Sequence, residues 1–322
     1  MASFLGKNLP DSIWKPDVLY LPEPLLEAHK SFLEEQGWWA EYDPNVHGNI
    51  GGATADEAKE HIINRFLNSA ARMGFVCADP MDTQPEVREM VLDQLGEGQI
   101  FLLDLAAGNG AGTLSMLSLI CELRAKKCVP KLPVNVHITG VDYSSAALKY
   151  YSEIMGKLDP WLKSNGLHVN LSLCPCDLAV VGDFGEVFES FLDESKRASV
   201  NRFLCVISAI SGINSEGMGA ISDSLKHAAT GLSSKKRNSS WLWVEPHIGK
   251  KKAWVPKVFV TVNLTLKKIA HRFIQKGDTF DIKADDEVPT LEDAQPRSFQ
   301  WLDPYKNKAI NSNVIVVAFK NE

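Results

Sequence analysis

The stretch that decides the fold runs Ile100-Phe101-Leu102-Leu103-Asp104-Leu105-Ala106-Ala107-Gly108-Asn109-Gly110-Ala111-Gly112-Thr113. An apolar run that ends in glycines and passes into the helical pattern TLSMLSLICELRAK (113–126) reads as strand, tight turn and helix. Glycine lets a backbone approach a ligand closely, and the following helix offers unpaired N–H groups at the positive end of its dipole. Its glycines fall as GxGxG, the third at 112, whereas dinucleotide-binding turns prefer GxGxxG, which would need glycine in place of Thr113. Asp104 stands four residues ahead of Gly108.

The same texture repeats downstream. VHITGVD (136–142) is a second strand, followed by the helical stretch SSAALKYYSEIMGKL (144–158). HVNLSLC (168–174) alternates as a third and leads through DLAVVGDF to the helix EVFESFLDESKR (186–197). RFLCVISA (202–209) and SSWLWVEP (239–246) are the fourth and fifth strands, with GMGAISDSLKHAATGL (217–232) as the helix between them. SFQWL (298–302) and SNVIVVAFK (312–320) read as two more strands. Alternating strands and helices bury best as a mostly parallel sheet with helices on both faces, and such sheets take ligands at the carboxyl ends of their strands.

Residues 1–97 differ, with helices set between loops rich in Pro and Gly. Pro22 and Pro24 precede LLEAHKSFLEEQG (25–37), and EYDPNVHGNIGG (41–52) reads as a loop. Asp56 is the expected cap of one helix, EAKEHIINRFLNSAARMG (57–74), and PEVREMVLDQLGEG (85–98) starts at a proline and stops at glycines. The expected organisation is a helical N-terminal extension over 1–97, placed as a lid on the ligand site, and an α/β domain over 98–322.

The residues D-L-A-A-G-N-G, then the acid ending the second strand (Asp142), then the acid after the third (Asp177), resemble the class I S-adenosylmethionine-dependent methyltransferases. The resemblance covers about residues 98–320. It implies a seven-stranded Rossmann-like sheet whose last strand inserts antiparallel, and S-adenosylmethionine as cofactor. Asp142 would take both ribose hydroxyls, since an ionised carboxylate is acceptor-only. Asp177 would accept from the adenine amine, with Leu178 or the Tyr143 ring as an apolar wall. The backbone at Ala106, Gly108, Gly110 and Gly112 would meet the methionine portion, Asp104 would orient that loop or hold the ligand's ammonium through water, and Ser208 would close the site from the fourth strand. The same aspartates also suit helix caps. Asp142 lies 30 residues beyond Gly112, against about 20 in dinucleotide folds.

Acceptor-side groups should follow the fourth and fifth strands, where Asn214, Glu245 and His247 stand. His247 is the expected general base, having an ordinary pKa near neutrality, and Glu245 would orient it or touch the acceptor. A loop histidine without catalytic duty remains the alternative. No D/N-P-P-Y/F motif is present, which disfavours methylation of exocyclic base amines or glutamine amides.

Charge divides the acceptor classes. Residues 1–100 hold 17 acidic and 7 basic side chains, whereas residues 226–276 hold 12 basic ones and only Glu245. Lys250, Lys251, Lys252 and Lys257 follow a strand's carboxyl end and should face the ligand; Lys235, Lys236 and Arg237 should lie on the opposite rim. Two acceptors therefore stand nearly level: a small or medium organic molecule under the lid, narrowly favoured, and RNA steered by the lysines. A catalytically silent partner protein is the third reading. Trp14, Trp38, Trp39 and Tyr42 suit either stacking on an aromatic acceptor or core packing.

The whole chain has 322 residues, a net charge of -6 and 45% hydrophobic residues, enough for a sizeable core. No apolar run approaches the ~18 residues of a membrane span and no signal-peptide pattern opens the sequence, so a cytoplasmic location without membrane attachment is expected. The six cysteines are scattered, with no zinc-type spacing, and read as reduced thiols with no metal to hold.

Overall fold

The computed structural model describes residues 9–44, 52, 54–208, 210, 215–233, 237–246 and 297–321. All seven expected strands form, and an eighth joins them. In chain order they are β1 (Val18–Leu19), β2 (Gly98–Leu105), β3 (Val134–Asp142), β4 (Leu167–Pro175), β5 (Arg202–Ser208), β6 (Asn238–Pro246), β7 (Arg297–Asp303) and β8 (Lys308–Asn321). They make one sheet in the order β1-β7-β8-β6-β5-β2-β3-β4. Only β8 runs against its neighbours, pairing antiparallel with both β6 and β7. This is the Rossmann-like sheet with an inserted antiparallel last strand. The addition is β1, two residues paired parallel with Gln300 and Trp301 of β7, too short to leave a periodic signal in the sequence.

Both faces of the sheet are covered, which is why its central strands read as unbroken apolar runs. Period-two alternation along β2 sends Ile100 and Leu102 into one core and Phe101, Leu103 and Leu105 into another. The second core is closed by α7 (Val181–Arg197) and α8 (Ser215–Leu232), through Phe184, Phe188, Phe191, Leu225 and Leu232. The first takes α1 (Glu23–Glu35), α2 (Ala55–Asn64), α3 (Phe66–Ala78), α4 (Pro85–Gln94), α5 (Ala111–Ala125) and α6 (Ser145–Ser164). Phe32, Ile62, Phe66, Leu67 and Met73 from the first hundred residues share that core with Leu114, Leu117 and Ile154. Helices α3 and α5 are buried nearly all round, so they lie as inner helices.

Several helix boundaries differ from expectation. The single helix predicted over 57–74 is two, broken at Arg65 (φ -120°, ψ -20°), because an amphipathic α2 and an almost wholly buried α3 must present different faces to the core. Asp56 does not cap it. Thr54 accepts from the Glu57 N–H while the Glu57 side chain takes the Thr54 N–H, a reciprocal capping box. Helix α6 runs on through Pro160 to Ser164, since Leu158 and Leu162 continue its buried stripe past the proline.

Tertiary packing fixes the glycine turn. Gly110 (φ 73°) precedes α5, and a Cβ there would drive into the Tyr151 ring of α6. Gly140, on β3 beside Asp104, leaves room for the same ring and for Leu173. We predict that Gly110→Ala costs about 3 kcal/mol, from a left-handed backbone and an overpacked ring together. Gly156→Ala, on the exposed face of α6 with nothing near its Cβ position, gains about 0.5–1 kcal/mol. Denaturant melts of the two variants check the contrast; equal effects would show that the Tyr151 contact is unimportant.

Candidate functional site

Strands β2 and β3 end side by side, Asp104 opposite Gly140 and Leu105 opposite Val141, and the turns that leave them meet. The Ala107 N–H donates to the Val141 carbonyl at 3.0 Å. The Asp142 carboxylate then bridges the two turns: Oδ2 accepts from the Gly108 N–H and Oδ1 from the Ser144 N–H, each at 2.8 Å. Burial pushes its pKa up, opposed by those two N–H groups. On the far side of β2, β5 ends at Ser208 and the chain passes Ile210. The sheet order changes direction between β2 and β5, and crevices at such switch points are where open α/β sheets bind ligands.

A cavity of about 170 Å³ opens there. One wall is the turn after β2 with the start of α5: Ala106, Ala107, Gly108, Asn109, Ala111 and Gly112. Asp142, Tyr143, Ser144 and Ala147 form a second. The third comes from the N-terminal helices, through Ala58 and His61 of α2 and Ser69 of α3, with Gly52 beside the Tyr143 ring. Gly108 (φ 54°) has nothing within 4 Å of its Cβ position, so the backbone is open to a ligand there. Ala106 holds φ 51°, a left-handed conformation rare for a residue with a Cβ.

Two carboxylates and one imidazole give the cavity its electrostatics. Asp104 is 2% exposed, its Oδ2 accepting from Thr113 Oγ1 at 2.7 Å and from Tyr151 OH at 3.3 Å. Burial, aided by the Asp142 charge, raises its pKa to about 7 against the two hydroxyl donors. His61 has Nδ1 3.0 Å from Asn109 Nδ2, which ties α2 to the glycine turn. Burial and the charges of Arg65 and Arg72 lower its pKa to about 4.

The structure gathers some of the predicted residues and not others. Asp104, Ala106, Gly108, Gly112, Asp142, Tyr143 and Ser208 all line the cavity. Gly110 lies behind it against Tyr151, and Gly112 packs where a Cβ would come 2.6 Å from Ser208 Oγ. Asp177 is exposed beyond β4 with Oδ1 accepting from the Ala179 N–H, and Leu178 is buried in the α7–α8 core; neither lines the cavity. Glu245 is 1% exposed, its Oε1 accepting from the Ile210 N–H and from Trp243 Nε1, both at 2.9 Å, so it braces the segment after β5. Asn214, His247, Lys250, Lys251, Lys252 and Lys257 lie outside the described residues. Trp14, Trp38, Trp39 and Tyr42 pack on Phe75, Phe32, Tyr150 and Tyr305 and stay out of the cavity lining. His61, Ser69 and Asn109 were missed. Asn109 sat within the motif, but only folding brings His61 to it.

Among the described residues, no helix is long and apolar enough to cross a membrane, and no cluster of His, Cys, Asp or Glu could hold a metal ion. No protein-family model matches the chain, and no curated protein sequence matches it. Among solved structures it is similar to a S-adenosylmethionine-dependent methyltransferase from Clostridium acetobutylicum, at 16% identity over 52% of this chain and 50% of that one, TM-score 0.26. This chain thus spans about half the length of that protein. It is also similar to the plantazolicin methyltransferase BpumL in complex with SAH (10% identity, 92% and 95% covered, TM-score 0.31). A third is the trans-methyltransferase CalH in complex with SAH (11%, 93% and 84%, TM-score 0.30). At TM-scores of this size, the functional reading stands on the sheet order and the cavity.

The Asp104 shift sets a stability profile. Its folded pKa of about 7 lies above the ordinary carboxyl value of 3.8, so the folded state binds the extra proton and stability falls as pH rises across that window. Asp104→Asn should match the wild type near pH 4. It should exceed it by on the order of 2–4 kcal/mol at pH 8, where most of the buried charge is present. Denaturant melts from pH 4 to 8 check this; a pH-independent difference would place an ordinary carboxylate at 104.

Proposed function

We propose that the chain binds S-adenosylmethionine in this cavity and transfers its methyl group to an O or N atom of a small or medium organic molecule. The observation that carries the reading is the pairing of two carboxylates, Asp104 and Asp142, with an open glycine backbone at the switch point between β2 and β5. A cationic amino-acid sulfonium joined to a ribose diol suits that set. Asp142 keeps lone pairs on both oxygens for the diol after taking two N–H groups. The backbone at Gly108, with the first N–H groups of α5, receives the amino-acid carboxylate. Asp104, tied to Thr113 and Tyr151, fixes the turn from below and places negative potential near the ligand's cation. With Asp177 and Leu178 outside the lining, the adenine contacts are assigned to Tyr143, Ser144 and Ala147.

S-adenosylmethionine supplies a methyl on a positively charged sulfur, a leaving group that departs neutral. The chain's share is to hold the acceptor in line and exclude water. The third wall, from α2 and α3, supports an enclosed organic acceptor: Ala58, His61 and Ser69 face the glycine turn across the cavity. In this reading residues 1–97 form a fixed wall of the acceptor site.

Calorimetry should show S-adenosylmethionine and its demethylated product binding in the micromolar range. Asp142→Ala should weaken both by about 1.5–3 kcal/mol, and Asp142→Asn, which keeps one acceptor oxygen, by less. No heat and no thermal shift with either ligand would end the reading. Labelled cofactor incubated with cell extract should mark small molecules. Label in RNA, with binding that falls steeply with salt, would favour the RNA acceptor; no label in any fraction would favour a silent binding protein.

A further inference from the structure

Among the described residues of the cavity lining, His61 is the titratable side chain that the first hundred residues contribute. Its hydrogen-bond partner, Asn109 Nδ2, is an amide nitrogen that can only donate. With the Asn109 amide in this orientation the ring Nδ1 is the acceptor, and the proton of the neutral imidazole sits on Nε2. Nε2 has no hydrogen-bond partner among the described residues, and its ring borders the cavity. The charges of Arg65 and Arg72 reach the ring and, with burial, disfavour its protonated form. The Glu60 charge acts on Arg65, and the Glu245 charge on Arg72, with the opposite sign.

We infer that the methyl acceptor presents an ionised oxygen, a carboxylate or a phenolate, to the Nε2–H of His61. The inference rests on the methyltransferase reading and narrows it. An N–H donor at a cavity wall makes its stronger, charge-assisted hydrogen bond with an anion, which favours anions over neutral isosteres. It also settles what chemistry the site need not perform. The Nδ1 lone pair is committed to Asn109 and Nε2 carries a hydrogen, so His61 has no free lone pair with which to take a proton. An ionised oxygen needs none taken. Its electron pair forms the bond to the methyl carbon while the carbon–sulfur bond breaks, that pair staying on sulfur. The anion and the sulfonium become a neutral methyl ester or ether and a neutral thioether, with no proton left over. A neutral amine or alcohol would leave one, and the described lining offers only Asp104 and Asp142 to receive it, both on the cofactor side.

The test titrates the full chain, saturated with S-adenosylhomocysteine, with benzoate and 4-nitrophenolate at pH 8, against benzamide and 4-nitroanisole. Each anion should bind at least tenfold more tightly than its neutral counterpart, and the preference should fall below threefold in His61→Phe. Nitrogen NMR of the histidine-labelled wild type should show the His61 ring neutral and protonated on Nε2 at pH 6, a readout a purely structural histidine would not be obliged to give. Equal binding of ions and neutrals, binding of neither, or a ring charged or protonated on Nδ1 each overturns the inference. Repeating the titrations without S-adenosylhomocysteine separates the two claims: failure to bind that ligand sinks the cofactor reading, while the anion preference is still measured. In extract labelling, base-labile product would identify a carboxylate and base-stable product a phenolate.

Discussion

The site depends on one carboxylate that joins two turns. Asp142 ends β3 and accepts one N–H from the turn after β2 and one from the turn leading into α6. Because β2 and β3 are in register to their last residues, a single side chain can reach both. Without that tie the glycine turn would be free to close over the space where its backbone is open, at Gly108. The next layer down serves the same end. Tyr151 lies under Gly110 and beside Gly140, and its hydroxyl meets Asp104. Turn, strand end and helix are thus locked around one ring.

The other half of the site comes from helices far away in sequence. Buried neutral groups hold them in place. His29, fully buried, stacks on Phe66 at 4.7 Å and bonds the Ile62 carbonyl through Nε2, which fixes α1 against α2 and α3. Tyr42 donates to the buried Asp303 at 2.9 Å and links the same region to the end of β7. The helices of the acidic first hundred residues therefore stand as part of the main core, and among the described residues the groups they turn toward the cavity are apolar, hydroxylic and imidazole rather than anionic. Their negative total said little about the ligand, because most of those carboxylates face solvent on the outer helix surfaces.

Much of the fold was legible because both sheet faces are covered. Strands such as β2 and β5 had to be continuously apolar, and glycines and prolines punctuated them. What the sequence hid were features with no period. β1 is two residues long, the break at Arg65 has neither Pro nor Gly to announce it, and Pro160 sits inside a helix because the buried stripe on either side outweighs one lost hydrogen bond. For the site, the glycine turn and Asp142 were readable as a strand end followed by a turn. Asp177 looked equivalent by position, yet β4 is the edge strand, and its trailing carboxylate faces water.

The sequence by itself determined the sheet, the turn that leaves its central strand and the acid that ends the neighbouring one, because alternation, glycine freedom and strand length are local properties. Only the tertiary structure decided which glycine opens onto the cavity and which meets a ring, that Asp104 is buried beneath the turn, and that His61 bonds Asn109. Those outcomes turn on contacts between segments tens of residues apart, whose distances no local pattern records.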